Sequence, residues 1–224
     1  RIRFLQEKTD GWVAGLILML RRLESRGADP DLPAEHTPEE IFDFFASEIF
    51  ADADARLQEF VLKTALLPRM NAQMAAQLTG AEDAAQILSA MSRNHWFTQK
   101  HRNRTTTYQY HPLFREFLLN RIEASYRPGR LNQIKRSAAD LLVADEQIEA
   151  AISLLFETGD METLIGLILR QGRPMLAHGR IRTMEQWLTR LPDIIVETHP
   201  RVLYWLGACR LPLNPNNART CFEK

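Results

Sequence analysis

A chain of 224 residues, 45% apolar and 25% charged, can build one large core or two ordinary ones, which excludes disorder. Its formal net charge of zero excludes a protein that holds nucleic acid or a membrane surface by bulk charge. Two cysteines, Cys209 and Cys221, give no disulfide framework and no metal spacing, and predict a reduced, cytoplasmic setting.

The elements follow in chain order from apolar periodicity. Thr9-Asp10 reads as the N-cap of a helix to about Ser25, with Trp12, Leu16, Met19, Leu20 and Leu23 on one face. The apolar run Trp12–Leu20 is too short to cross a bilayer. Pro30, Pro33 and Pro38 mark a loop, and Pro38 opens a helix carrying Ile41, Phe44, Phe45, Ile49 and Phe50. Three helices are then predicted: about Ala53 to Leu66, Asn71 to Leu78 (closed by Thr79-Gly80), and Ala81 to Met91.

The pattern changes at His95. His95–Lys100 and Thr105–Tyr110 are short, aromatic and β-branched, and the polar His101–Arg104 lies between them, which predicts a β hairpin. Pro112 starts a further helix to about Ala124. Three helices followed by a hairpin is the winged-helix order. Beyond Pro128 all is helical: Gly129–Ala144, Gln147–Thr158, Met161–Gln171, Arg180–Leu191, Pro200–Leu211 and Ala218 onward. Such helix pairs predict an α-solenoid of the TPR-like kind. The expected fold is mostly α: a helical segment over 1–50, a winged helix with one hairpin over 51–126, and a helical arm with the start of TPR-like repeats over 127–224. The chain begins at Arg1 and ends at Lys224 inside a predicted helix, and is read as an excised piece.

Charge is unevenly placed. Ala28–Phe60 holds ten acidic residues and one base, and Met91–Arg136 holds ten bases and two acids. The basic stretch offers either a solvated surface or a site for an anion. Within it lies Tyr108-Gln109-Tyr110-His111-Pro112-Leu113-Phe114-Arg115-Glu116-Phe117-Leu118. Here a strand gives way to a helix whose first amides have no intrahelical acceptor, a place that favours an anion. His111 stands at that junction. It either caps the helix or bonds a backbone carbonyl, or it donates to a phosphate oxygen. No Gly-x-x-x-x-Gly-Lys-Ser/Thr loop occurs in the chain, nor Gly-x-Ser-x-Gly nor His-Glu-x-x-His, so no catalytic apparatus is predicted. The remaining histidines, including His95, His101, His178 and His199, repeat no metal-ligand spacing.

Tyr110–Leu118 resembles the Tyr-His-x-Leu-Phe-x-x-Phe-Leu signature of MalT-like regulators, signal-transducing STAND ATPases that usually end in a LuxR-type DNA-binding domain. Thr9–Leu16 is similar to that family's Thr-Glu-Gly-Trp-x-x-Gly-Leu stretch, Phe60–Met70 to its next block, and Gly179–Pro192 to a block of its helical arm. The matches fall in order and cover nearly the whole chain. The resemblance implies ATP or ADP held by an upstream nucleotide-binding core of the same protein, with no tight binding by this segment alone. It implies an inducer, a small molecule or a protein, at the helical repeats. DNA would be contacted only through a domain further downstream, and no membrane is involved. In STAND proteins a winged-helix histidine touches the β-phosphate of bound ADP and holds the inactive state, and plant immune receptors carry a similar Met-His-Asp-Leu motif. The resemblance therefore makes His111 the nucleotide-phosphate sensor and places Gly11 and Trp12 near the base. Proline at 112 departs from the aspartate of the plant motif, so only the histidine carries over. On its residues alone, Trp12 is a helix-face core residue.

Two other functions stay open on the sequence. A winged-helix DNA binder would read the groove with Glu82–Arg93, which carries one base at its end and two acids at its start. A plain helical interaction module would use the repeats after Gly129.

Overall fold

The structure, a computed structural model, describes residues 46–47, 50–94, 96–102 and 104–224. The expectations for Gly11, Trp12 and the first N-terminal helix fall outside these residues; of the second helix only 46–47 and 50–52 are described, and they are helical, with Phe50 buried as expected. Among the described residues the chain is mostly helical with a single two-stranded antiparallel hairpin, a winged helix followed by helices.

Helix α1 (Ala55–Thr64) begins at Asp54, whose carboxylate accepts the Leu57 N–H at 2.8 Å and so satisfies one open donor of the first turn. It buries Phe60, Val61 and Leu62, and its continuation buries Ala65, Leu66 and Leu67. Asn71 caps α2 (Ala72–Thr79) in the same way, through Met74 N–H at 2.9 Å. Gly80, at φ 78°, ends α2 in a left-handed conformation that a side chain resists. Helix α3 (Ala84–Arg93) starts three residues later than its periodicity suggested. Asp83, just before it, pairs instead with Arg56 of α1.

Strands β1 (Thr98–Arg102) and β2 (Thr106–Tyr110) pair with Thr98 opposite Tyr110 and Arg102 opposite Thr106. His101 and Arg102, expected in the connection, therefore extend β1. Side chains alternate along the last three residues of β2: Tyr108 and Tyr110 are buried while Gln109 between them is exposed. Met70 adds a backbone bridge to β2. Its N–H donates to Tyr108 O at 3.0 Å, and the Tyr108 N–H donates to Met70 O at 2.7 Å. The hairpin is thereby fastened to the α1–α2 connection, and Tyr108 cannot slip register without losing both bonds. Helix α4 (Pro112–Ser125) packs on α1 and buries Phe114, Leu118 and Ile122.

Helix α5 (Pro128–Ala144) carries the boundary between two compact units, the first ending at Ile134 and the second spanning Lys135–Lys224. In the second unit α6 (Ile148–Thr158) and α7 (Met161–Ala177) form an antiparallel pair around Gly159 and the capping carboxylate of Asp160. Lys135, buried, extends its ammonium to Glu157 at 2.7 Å. Helices α8 (Ile181–Thr189), α9 (Asp193–Thr198), α10 (Pro200–Arg210) and α11 (Pro215–Glu223) complete it. Helix α7 packs against α6, α8 and α10, and α10 against α8, α9 and α11. The α7–α10 crossing is close: a Cβ placed on Gly172 would lie 2.4 Å from Trp205 Cε2. Arg210 of α10 ties α8 to α11, with its Nε 2.9 Å from Glu185 and a terminal nitrogen 3.7 Å from Cys221 Sγ.

Two further elements differ from the periodicity. Helix α7, expected to end at Gln171, continues through Pro174 to Ala177. Helix α9 lies between Pro192 and Pro200 and buries none of its residues, so no apolar pattern announced it.

Candidate functional site

Tyr110, His111 and Pro112 form the joint where the wing becomes a helix. Tyr110 ends β2 fully buried, and its ring meets Phe114 edge-on with centroids 5.6 Å apart. Its hydroxyl lies 2.7 Å from Thr64 Oγ1, and the Thr64 hydroxyl donates to Phe60 O at 2.7 Å. With that hydrogen committed, the Tyr110 O–H is the donor to Thr64. Burial, only partly offset by the Thr64 bond, pushes the phenol far above its ordinary range and keeps it protonated. A buried polar bond therefore fixes the residue before His111 to helix α1.

His111 comes next, half-buried, with φ −55° and ψ 139°. Pro112 takes the first helical position, where its missing N–H has no intrahelical partner to lose. The His111 carbonyl accepts the Arg115 N–H at 2.9 Å, and its N–H donates to Phe97 O at 2.7 Å. The imidazole does not cap α4, so one of the two local roles open to it on the sequence is not taken. Its ring centroid lies 6.4 Å from that of Phe97, which in turn lies 5.2 Å from that of Phe114. Phe114 stacks on Phe117 at 6.3 Å. Burial lowers the His111 pKa below 6.5, so the ring is neutral at pH 7, with one N–H to donate and one lone pair to accept.

Sequence reasoning singled out His111 but missed Phe97 and Thr64. Phe97 has φ 45°, a left-handed conformation that a bulky side chain adopts only when its surroundings impose it. Nothing in the sequence marks such a position, since the usual glycine or asparagine is absent. Thr64 reads as one more residue in the last turn of a helix, and only the distant Tyr110 gives it a role.

The basic stretch divides. Lys100, His101, Arg102 and Arg104 belong to the wing and its tip, the last three exposed, with the Lys100 ammonium 5.5 Å from the centre of the Tyr108 ring. Arg121 instead covers aromatic surface of the core, its guanidinium 4.9 Å from the Phe50 ring and 5.9 Å from Phe117. Helix α3, the groove-reading element of a DNA-binding winged helix, exposes Ala85, Gln86 and Arg93. Its cleft with α1, about 320 Å³, carries Asp54 and Asp83 beside Leu57, Ile87, Met91 and Trp96. Arg56 also lines the cleft but is paired with Asp83, so it leaves no excess positive charge there for a phosphate backbone.

Other chemistry is sparse. Among the described residues no group of His, Cys, Asp and Glu is placed to hold a metal ion, and no helix is long and apolar enough to cross a membrane. Cys209 and Cys221 are buried free thiols, and burial, assisted by the Glu185 carboxylate, pushes Cys209 up to about 11. A thiol held protonated in this way is a poor nucleophile.

Residues 46–130 match the MalT winged helix domain. HTH-type transcriptional regulator MalT of Klebsiella pneumoniae (strain 342) is 29% identical over 163 residues, 73% of this chain and 18% of that protein. The regulator of the same description from Cronobacter sakazakii is equally similar over the same length. That of Yersinia pestis (strain Pestoides F) is 25% identical over 206 residues, 88% of this chain and 22% of that protein. The chain spans about a fifth of the length of these relatives. With its three helices, its hairpin and the His111 joint inside the matched stretch, residues 46–130 resemble the MalT winged helix domain, and the chain is similar to MalT regulators over most of its length.

Proposed function

We propose that this chain is the regulatory segment of a longer MalT-like transcription activator, and that it senses nucleotide state and relays it rather than catalysing a reaction. ATP or ADP occupies an upstream nucleotide-binding core, an inducer acts at the helical repeats, and DNA is read by a downstream domain. In the ADP-bound state the winged helix closes on the core and His111 donates a hydrogen bond to a phosphate oxygen. Gly11 and Trp12 then flank the base. ATP and inducer favour the open state, and the ratio of affinities for the two states sets the size of the switch.

The observation that carries this reading is the state of His111. Its backbone is held on both sides, by Phe97 and by Arg115, while the half-buried ring leaves α4 uncapped. A neutral imidazole so placed gives one directed donor beside the open amides of a helix N-terminus, and an anion suits both. The near-neutral exposed face of α3 favours contact with another domain over insertion into a DNA groove.

His111→Ala in the full-length activator tests it. A hydrogen bond to a charged group contributes about 1.5–3 kcal/mol, so ADP should leave roughly 10- to 100-fold faster. Transcription without inducer should rise with it. Unchanged ADP retention together with full inducer dependence would reject the sensor role.

A further inference from the structure

Phe97 is the most strained residue at the joint, and it touches His111 twice. Its φ of 45° puts a bulky aromatic residue in the left-handed region. Such a conformation costs on the order of 1–3 kcal/mol and persists only where its surroundings over-determine it. Here three features do so. The Phe97 carbonyl accepts the His111 N–H at 2.7 Å. The next residue, Thr98, enters β1 opposite Tyr110, and its hydroxyl reaches back to Trp96 O at 2.7 Å, bracketing Phe97. The Phe97 ring lies between His111 and Phe114, 6.4 and 5.2 Å away, within the range of aromatic contact.

A regular strand would send the side chain of residue 97 away from that of residue 98, and Thr98 is buried. The left-handed turn re-aims the ring at the imidazole while leaving its carbonyl on the His111 amide. The strain is kept where the Phe97 ring meets both Phe114 and His111 and where its carbonyl holds the His111 N–H.

We infer that Phe97 is the positioning residue of the phosphate sensor, setting the orientation of the His111 imidazole through its carbonyl and its ring. This rests on the proposed role of His111. The aromatic wall also screens the imidazole from water, in keeping with its lowered pKa. Before any nucleotide arrives the ring is therefore both oriented and uncharged. A phosphate contact then gains a directed donor with little loss of side-chain entropy.

Three variants test the inference. All three keep the backbone carbonyl: Phe97→Gly removes the ring and relieves the backbone, Phe97→Leu keeps apolar bulk without the aromatic face, and Phe97→Tyr keeps the ring. Imidazole NMR of this chain is the first measurement. Phe97→Gly should raise the His111 pKa towards 6.5 and broaden its ring signals, Phe97→Leu should do so partially, and Phe97→Tyr should leave both at the parent values. ADP release from the full-length activator is the second. Phe97→Gly should accelerate it roughly tenfold, the loss of one modest hydrogen bond, and Phe97→Tyr should not. If His111→Ala speeds ADP release but Phe97→Gly changes neither release nor the His111 titration, the positioning inference fails and the sensor stands. If His111→Ala has no effect on release, the sensor itself fails, whatever Phe97 does to the titration. Should Phe97→Gly not fold, Phe97→Leu decides: a titration and release rate equal to the parent would overturn the inference.

Discussion

The buried pair of hydroxyls behind the joint gives a sharp energetic test. Thr64→Val keeps the shape of the side chain but removes the acceptor of the Tyr110 O–H, at a site where Thr64 and Tyr110 are 0% and 2% exposed. A buried donor without a partner costs about 1–3 kcal/mol. Tyr110→Phe removes the donor instead. Thr64 then keeps its 2.7 Å bond to Phe60 O, so the loss is that of one neutral hydrogen bond, about 0.5–1.5 kcal/mol. Thr64→Val must therefore cost more than Tyr110→Phe. The double variant must cost less than the sum, because once the phenol is gone valine strands nothing. Hydrogen exchange of the segment 98–125, followed through a urea series, reads the stability of this unit separately from Lys135–Lys224. Equal single costs, or costs that add, would refute the claim that Tyr110 hangs from helix α1 by this bond.

Two further outcomes follow from the same coordinates. Gly172→Ala should destabilise the second unit, since its Cβ would meet the Trp205 indole at 2.4 Å where about 3.5–4.0 Å is ordinary. The overpacking cost of roughly 1–3 kcal/mol exceeds the ~1 kcal/mol that alanine adds to a helix, and Trp205→Leu should restore the melting temperature. A Gly172→Ala protein that melts higher than the parent would contradict the close crossing of α7 and α10. The pH dependence has a fixed sign at His111. Its folded pKa lies below 6.5, so as pH falls through 6.5 the unfolded chain takes up a proton before the folded one. This residue's share of the stability is thus greatest above 6.5 and declines as pH drops towards the folded pKa. His111→Asn should flatten that part of the stability profile, and a decline that instead appears as pH rises would reverse the assignment.

The order of elements was legible because each carries its own signals. Asn71, Pro112, Gly80 and Gly159 stand where helix ends require a side-chain acceptor, a missing N–H or a left-handed residue. Tyr108–Tyr110 alternates as a half-buried strand must. His111 was found because it lies at a junction the sequence marks on both sides. What escaped notice depends on distant partners. Helix α7 continues past Pro174, and Met175, the next residue, is buried in the second unit, where its packing offsets the cost of the proline. Neither the bridge from Met70 to Tyr108 nor the bond from Thr64 to Tyr110 leaves a local trace, since each joins residues 38 and 46 positions apart. Phe97 is the extreme case: its conformation comes from three neighbours and opposes its own preference.

A structure of the full-length activator with ADP bound would measure the central contact itself. A nitrogen of the His111 imidazole should lie within hydrogen-bond distance of a phosphate oxygen, about 2.7–3.2 Å, with Phe97 still in its left-handed conformation against the ring. An ADP-bound structure in which that ring faces solvent or protein, with a water layer or another side chain between it and the diphosphate, would contradict the account.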